Sequence, residues 1–439
     1  MDLSRRQSLQ LLLALSAALA VPGVAACGAD RRVGGAPRDT RELELASSEV
    51  ERSPGSAAAI PDAVASVGGL AAGLYGALAR EPGNLVFSPY SVAVALAMTL
   101  NGARGRTATE MRDVLATADT HRLDDGLDAL TLHLEGLAGP TRRVDGSGAT
   151  IALDAANALF GQRGTAWEGP FLDDLARYFG AGMRLVDYAT ATEAARTLIN
   201  EWTAEQTHDR IPEIVPAGIL SDLTRLVLVN AIYLKAPWET PFDPDTTADR
   251  PFHADAGTRD VPTMTAGLHL SGHARGDGWE AVRLPYAGGA LAMTVVLPDE
   301  GALARVSAAL AGGALPSILA APRPTPVQLS LPRWTFRTEA PLGDVLTALG
   351  MPTAFDPARA DFTAMTRQEQ LFIAAVLHEG FIAVDEAGTE AAAATAVVMD
   401  TTSAPLYREV VVDRPFLFVV HDVEHLTPLF VGRVSDPTV

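Results

Sequence analysis

Residue types that commonly do chemistry are sparse in this chain, and where they cluster their spacing supports two readings. His421-Asp422-Val423-Glu424-His425 sets two imidazoles and two carboxylates at metal-ligand spacing. The same five residues also make a polar turn between the strand-like runs Pro415–Val420 and Leu429–Val434, and the turn fits its surroundings better. His269 and His273 share the pattern inside a glycine-containing loop and are read the same way, so no metal site is assigned. Nucleophile and phosphate machinery is missing: the sequence has no Gly-x-Ser-x-Gly elbow, P-loop, His-Glu-x-x-His pair or Gly-x-Gly-x-x-Gly after a strand. The one cysteine, Cys27, lies in an export-type segment, which excludes a thiol nucleophile and any intrachain disulfide. An enzyme is therefore disfavoured, and no cofactor is expected.

The segment with the most unusual composition is Asp385–Val398, which contains Glu386, Gly388, Thr389, Glu390 and the alanines Ala391, Ala392, Ala393 and Ala394. Composition alone favours a helix of alanines after a Gly-Thr start. A strand is the competing reading. Alternate side chains of a strand face opposite sides, so Thr389, Ala391, Ala393, Thr395 and Val397 would share one face. All five are small and uncharged, and Glu390, the only charge in the run after Gly388, falls on the other face. Such a segment could leave solvent and enter a sheet without overpacking the core beneath it.

The elements that must position this run form a mixed pattern. Helical spacing covers Ile60–Arg80, Ser91–Leu100 (opening after Ser-Pro-Tyr-Ser), Thr107–Ala116 and Glu193–Thr207. Thr107 followed by Glu110 predicts a capping box. Strand-like runs dominate afterwards: Thr224–Tyr233, Trp279–Leu284, Leu291–Leu297, Val327–Trp334, Phe372–Val384, Val410–Val412, Pro415–Val420 and Leu429–Val434. Helices first and strands later, without βαβ alternation, predict an α+β fold.

The chain has 439 residues, 48% of them hydrophobic and 20% charged, enough apolar material for a large folded body. A net charge of −19 argues against a non-specific nucleic-acid binder and favours a soluble, self-repelling surface. Residues 1–26 have the basic, apolar and small-residue parts of an export signal. Val24-Ala25-Ala26-Cys27 is a lipobox pattern, which marks Cys27 for lipidation and the chain for the cell envelope or the exterior. A plain signal peptide is the other reading, and Ser4-Arg5-Arg6 leaves the general and twin-arginine routes both open. Residues 27–56 read as a disordered tether and 57–439 as one domain.

Ordered matches along residues 57–439 resemble the serpins. They begin with Asn84-Leu85-Val86-Phe87-Ser88-Pro89-Tyr90-Ser91-Val92, Gly102-Ala103-Arg104-Gly105 and Thr109-Glu110-Met111. Asn157-Ala158-Leu159-Phe160, Ile199-Asn200-Glu201-Trp202 and Leu228-Val229-Asn230-Ala231-Ile232-Tyr233-Leu234-Lys235 follow, with Trp238, Pro241 and Phe242. Leu284-Pro285-Tyr286, Leu331-Pro332-Arg333-Trp334, Leu349-Gly350-Met351, Asp413-Arg414-Pro415-Phe416 and Leu429-Phe430-Val431-Gly432-Arg433-Val434 complete the set. Ala236 replaces a usual glycine, Ala383 a common acidic residue, and Arg414 precedes Pro415-Phe416; none of these departures lies in the Asp385–Val398 run.

The resemblance implies three β-sheets, eight or nine α-helices, an exposed reactive-centre loop and a monomer. It makes the alanine run a hinge: a serine protease cuts the loop as a substrate, and the cut loop inserts into the largest sheet while the acyl-enzyme is still attached. About thirteen residues would form on the order of 40 Å of new strand. Ser88, Ser91, Asn230 and His378 match the family's shutter beneath that sheet. Counting from Glu386 places the scissile bond at Thr402–Ser403, within the window Met399 to Leu406; counting back from Pro415 favours Ala404. A small residue before the cut favours elastase-like or subtilisin-like targets, whereas Met399 or Leu406 would favour chymotrypsin-like ones. A non-inhibitory carrier or chaperone-like serpin and a cross-class inhibitor of cysteine proteases are the alternatives.

Overall fold

A computed structural model describes residues 43–390 and 407–439. It has the expected α+β architecture, with three sheets and, among the described residues, nine α-helices. The main sheet runs in the order Glu44–Ala46, Met183–Val186, Gly148–Gln162, Leu226–Pro237, Gly388–Thr389, Ala375–Val384 and Trp334–Pro341, with Gly139–Arg142 pairing onto Gly148–Gln162. A seven-stranded rear sheet and a four-stranded small sheet complete the framework.

The rear sheet supplies the centre of the core. Its strands Leu291–Pro298, Phe416–Asp422 and Pro428–Val434 are buried at every residue. Strands covered on both faces lose the polar alternation of a surface strand, which is why they stand out in the sequence as continuous apolar runs. Trp334, in the edge strand of the main sheet, packs on Phe416 and Phe418 of the rear sheet at ring-centroid distances of 5.2 and 5.7 Å. Helix Pro89–Gly102 has no exposed residue and runs through the same core. Proline at its first position and Ser88 as N-cap start it, Ser88 accepting from the Ser91 N–H at 3.2 Å.

Two expectations change. The Thr107–Glu110 capping box does not form, because the helix begins earlier, at Gly105. Thr107 instead accepts from the Asp361 N–H at 2.9 Å, and Glu110 accepts from the N–H and hydroxyl of Thr353 at 2.8 and 2.9 Å. The expected tether also ends sooner than Ser56. Glu44–Ala46 adds an antiparallel strand beside Met183–Val186, and the Arg52 guanidinium meets buried Asp128 at 2.7 Å.

The main and rear sheets meet tightly at Gly380. A Cβ there would lie 2.6 Å from the Val86 carbonyl oxygen of strand Leu85–Phe87. Gly380→Ala is expected to cost about 1–3 kcal/mol through this overpacking, read as a lower urea midpoint; an unchanged midpoint would mean that the two sheets can separate there freely.

Candidate functional site

Strands Leu226–Pro237 and Ala375–Val384 run parallel and pair directly from Ala375 with Val227 up to Gly380 with Ile232. Above that point the chain returns between them: Gly388 pairs with Pro237, and Thr389 pairs with Ala236 on one side and Val384 on the other. The sheet is therefore zipped below and wedged open above by the first residues of the hinge.

A tight turn sets the wedge. The Asp385 carboxylate accepts from the N–H groups of Ala387 and Gly388 at 2.9 and 3.2 Å. Gly388 is required sterically, since a Cβ would stand 2.3 Å from the Ala236 carbonyl oxygen. Glu386 is buried; it accepts from the Thr247 hydroxyl at 2.6 Å and lies 3.6 Å from Arg333. Trp238 donates through Nε1 to the Asp385 carbonyl at 2.9 Å and stacks on Tyr286, with ring centroids 4.6 Å apart. The Tyr286 hydroxyl meets the Thr389 hydroxyl at 2.5 Å in a buried contact, and burial pushes the phenol pKa upward. Thr389 thus points to the core. Glu390 bonds back through its N–H to the Ala383 carbonyl at 2.9 Å and pairs with Arg210 on the other face. Its φ of 51° takes the chain out of the strand path.

Two residues below the last direct pair, His378 lies opposite Asn230 across the parallel strands. The Ser88 N–H donates to His378 Nε2 at 2.9 Å, so Nδ1 carries the proton and donates to Asn230 Oδ1 at 2.6 Å. Ser91 joins through the Ser88 hydroxyl at 3.2 Å. The four residues singled out in the sequence are therefore one buried network, and its imidazole fastens the two strands together. Burial holds the His378 pKa down to about 4. Its neighbour Glu379 is buried too; loss of hydration pushes its carboxyl up to about 7, against Arg337 at 3.5 Å and with Glu339 adding to the rise.

Ala391, Ala392, Ala393, Ala394, Thr402, Ser403 and Cys27 lie outside the described residues. The sequence reading assigned no role to Trp238, Tyr286, Thr247 or Arg210, which brace the hinge here. Trp238 and Tyr286 carried a signal in the matched blocks; Thr247 and Arg210 carried none. His421 to His425 form the end of strand Phe416–Asp422 and a turn, and His273 lies on a strand 3.3 Å from Glu280.

A family model described as "Serpin (serine protease inhibitor)" matches residues 65–437. The chain is 39% identical over 372 residues to an uncharacterized serpin-like protein of Thermococcus kodakarensis, covering 83% of each. It is 33% identical to the leukocyte elastase inhibitor of Sus scrofa, over 81% of this chain and 93% of that protein. Among solved structures, the thermophilic serpin tengpin in its native state matches with a TM-score of 0.76 at 25% identity, over 85% of this chain and 94% of that one.

The two buried groups should respond to pH in opposite senses. His378 has a folded pKa below the unfolded value near 6.5, so its contribution is complete above pH 6.5 and is lost as pH falls toward 4. Glu379 has a folded pKa above the unfolded value near 4.5, so its contribution is present below pH 4.5 and is lost as pH rises through 7. Glu379→Gln is expected to gain on the order of 1–3 kcal/mol at pH 8. His378→Asn is expected to flatten the loss of urea resistance between pH 6.5 and 4.5. Equal slopes in wild type and His378→Asn would remove the imidazole from this account.

Proposed function

The chain belongs to the serpin family, and on that premise we propose that it is an inhibitory member: a suicide substrate that traps serine proteases by inserting its cleaved loop into the main sheet. The observation that carries this reading is the seating of Thr389 between Ala236 and Val384, just ahead of the alanine run. The first step of a new strand is made at that point, and small residues follow it.

Extending the register past Thr389 gives the path of the inserted strand. Ala391 would pass between Leu234 and Ile382, Ala393 between Ile232 and Gly380, and Thr395 between Asn230 and His378. Val397 would reach Leu228 and Val376. From Ala393 onward each residue replaces a direct pair between the parallel strands with two ladders, so the His378–Asn230 bond must open. The nine residues Glu390 to Val398 span about 30 Å at roughly 3.3 Å each. Insertion must outrun hydrolysis of the acyl-enzyme, so bulk or charge on the inward face turns the inhibitor into a plain substrate.

The reading places the cut at Thr402–Ser403 within the window Met399 to Leu406, and a small residue there suits elastase-like or subtilisin-like proteases. It includes export with a lipid on Cys27, a position supported by the single cysteine at the end of the lipobox.

Mixing the protein with elastase-, subtilisin-, chymotrypsin- and trypsin-type proteases should give a complex that survives a denaturing gel with at least one of them, and sequencing the released C-terminal peptide places the cut. Thr389→Arg should abolish that complex and leave a cleaved chain, since arginine cannot occupy the site beneath Tyr286. Cleavage by every protease without a complex would overturn the inhibitory reading.

A further inference from the structure

The turn after strand Phe416–Asp422 meets a residue that no sequence spacing connects to it. His133, in the last turn of helix Thr120–Glu135, packs edge-on against His425, with ring centroids 4.9 Å apart and planes at 69°. One ligand-capable atom from each of His133, Glu424 and His425 lies within 4.8 Å of the other two. His133 Nδ1 is 3.9 Å from Glu424 Oε2. Four ligands held tetrahedrally at about 2.0–2.1 Å from a zinc ion stand roughly 3.4 Å apart, so small side-chain movements close this set. Glu424, exposed for 69% of its side chain, is free to make them.

The surroundings of His133 point the same way. Its Nε2 is buried and has no hydrogen-bond partner among the described residues. The carboxylate facing that nitrogen, Asp422 Oδ2 at 3.8 Å, is itself fully buried. Asp422 is held in place by the N–H groups of His425 and Thr427, at 2.6 and 2.7 Å. An imidazole that ligates through Nδ1 while its other nitrogen faces a fixed carboxylate is the usual outer-shell arrangement of a histidine metal ligand. A groove lined by Ile60, Val64 and Pro316 reaches Glu424 and His425 and gives an ion a way in.

We propose that His133, Glu424 and His425 bind a first-row divalent cation of the zinc type, with Asp422 orienting His133 and water completing the coordination. Two imidazoles and one carboxylate suit zinc or cobalt, whereas calcium and magnesium call for oxygen ligands. The bound ion ties helix Thr120–Glu135 to the end of the rear-sheet strand Phe416–Asp422, where Asp422 pairs with Leu291. Because it binds the folded chain, the ion stabilises the native state.

Titrating the metal-free full-length chain with ZnCl2 and with CoCl2 tests the site. One equivalent should bind, with a cobalt visible spectrum of low coordination number and a zinc-dependent rise in the thermal midpoint. His133→Ala and His425→Ala should each weaken binding tenfold or more and abolish the midpoint shift. His208→Ala, whose imidazole sits 3.1 Å from Asp154 elsewhere, should change neither. The metal titration of each alanine variant is read beside its urea midpoint without metal, which should match wild type. Absence of a stoichiometric ion, or binding that both alanine variants retain, would overturn the assignment.

Discussion

Two neighbouring parallel strands, paired for only part of their length, set the terms for the rest of this molecule. Leu226–Pro237 and Ala375–Val384 bond directly through six residue pairs, from Ala375–Val227 to Gly380–Ile232, and then diverge around Gly388–Thr389. Backbone groups in a buried sheet must be satisfied. At the top of the gap Gly388, Thr389 and Glu390 pair with Pro237, Ala236, Val384 and Ala383, and from Gly380 down the strands satisfy each other. A strand inserted along the whole gap would pair with both neighbours, so on the proposed path the strands would part without a permanent cost in lost hydrogen bonds. What separates the two arrangements is the set of contacts that hold the lower pair shut.

Those contacts are mostly polar and buried. The His378 imidazole reaches Asn230 on one strand and the backbone of Ser88 beneath, so breaking both contacts leaves two donors and two acceptors unpaired at once. At the wedge, Trp238 and Tyr286 hold Asp385 and Thr389, and Arg210 holds Glu390 on the opposite face. On the proposed insertion path this layout would open stepwise. Thr389 is already seated, and the residues that would follow it on the inward face of an inserted strand are small. Glu379 works in the other sense, because burial raises its carboxyl pKa to about 7 and ionisation above that pH costs stability.

Much of this was legible in the residues, for identifiable reasons. Rear-sheet strands buried on both faces read as unbroken apolar runs, and helix Pro89–Gly102 announced itself through Ser88-Pro89. Strand Gly148–Gln162, the longest of the main sheet, escaped notice: it carries Ala149, Ala152, Ala155, Ala156 and Ala158, and pairing on both sides overrides their weak strand preference. Glu44–Ala46 was invisible because three mostly exposed residues leave no pattern. The Asp385–Val398 run stayed divided between helix and strand on pattern alone. Only the register of Thr389 against Ala236 and Val384 shows how the run begins. The approach of His133 to Glu424 and His425, from nearly 300 residues away, is a product of the tertiary fold alone.

The most direct measurement of loop insertion compares thermal unfolding of the intact chain with that of the chain nicked once between Met399 and Leu406. Insertion adds up to nine residues of doubly paired strand, at about 1 kcal/mol for each net hydrogen bond, and should raise the midpoint by roughly 10 °C or more. An unchanged or lower midpoint in the nicked chain would mean that the loop stays outside the sheet, and would contradict insertion as the basis of function.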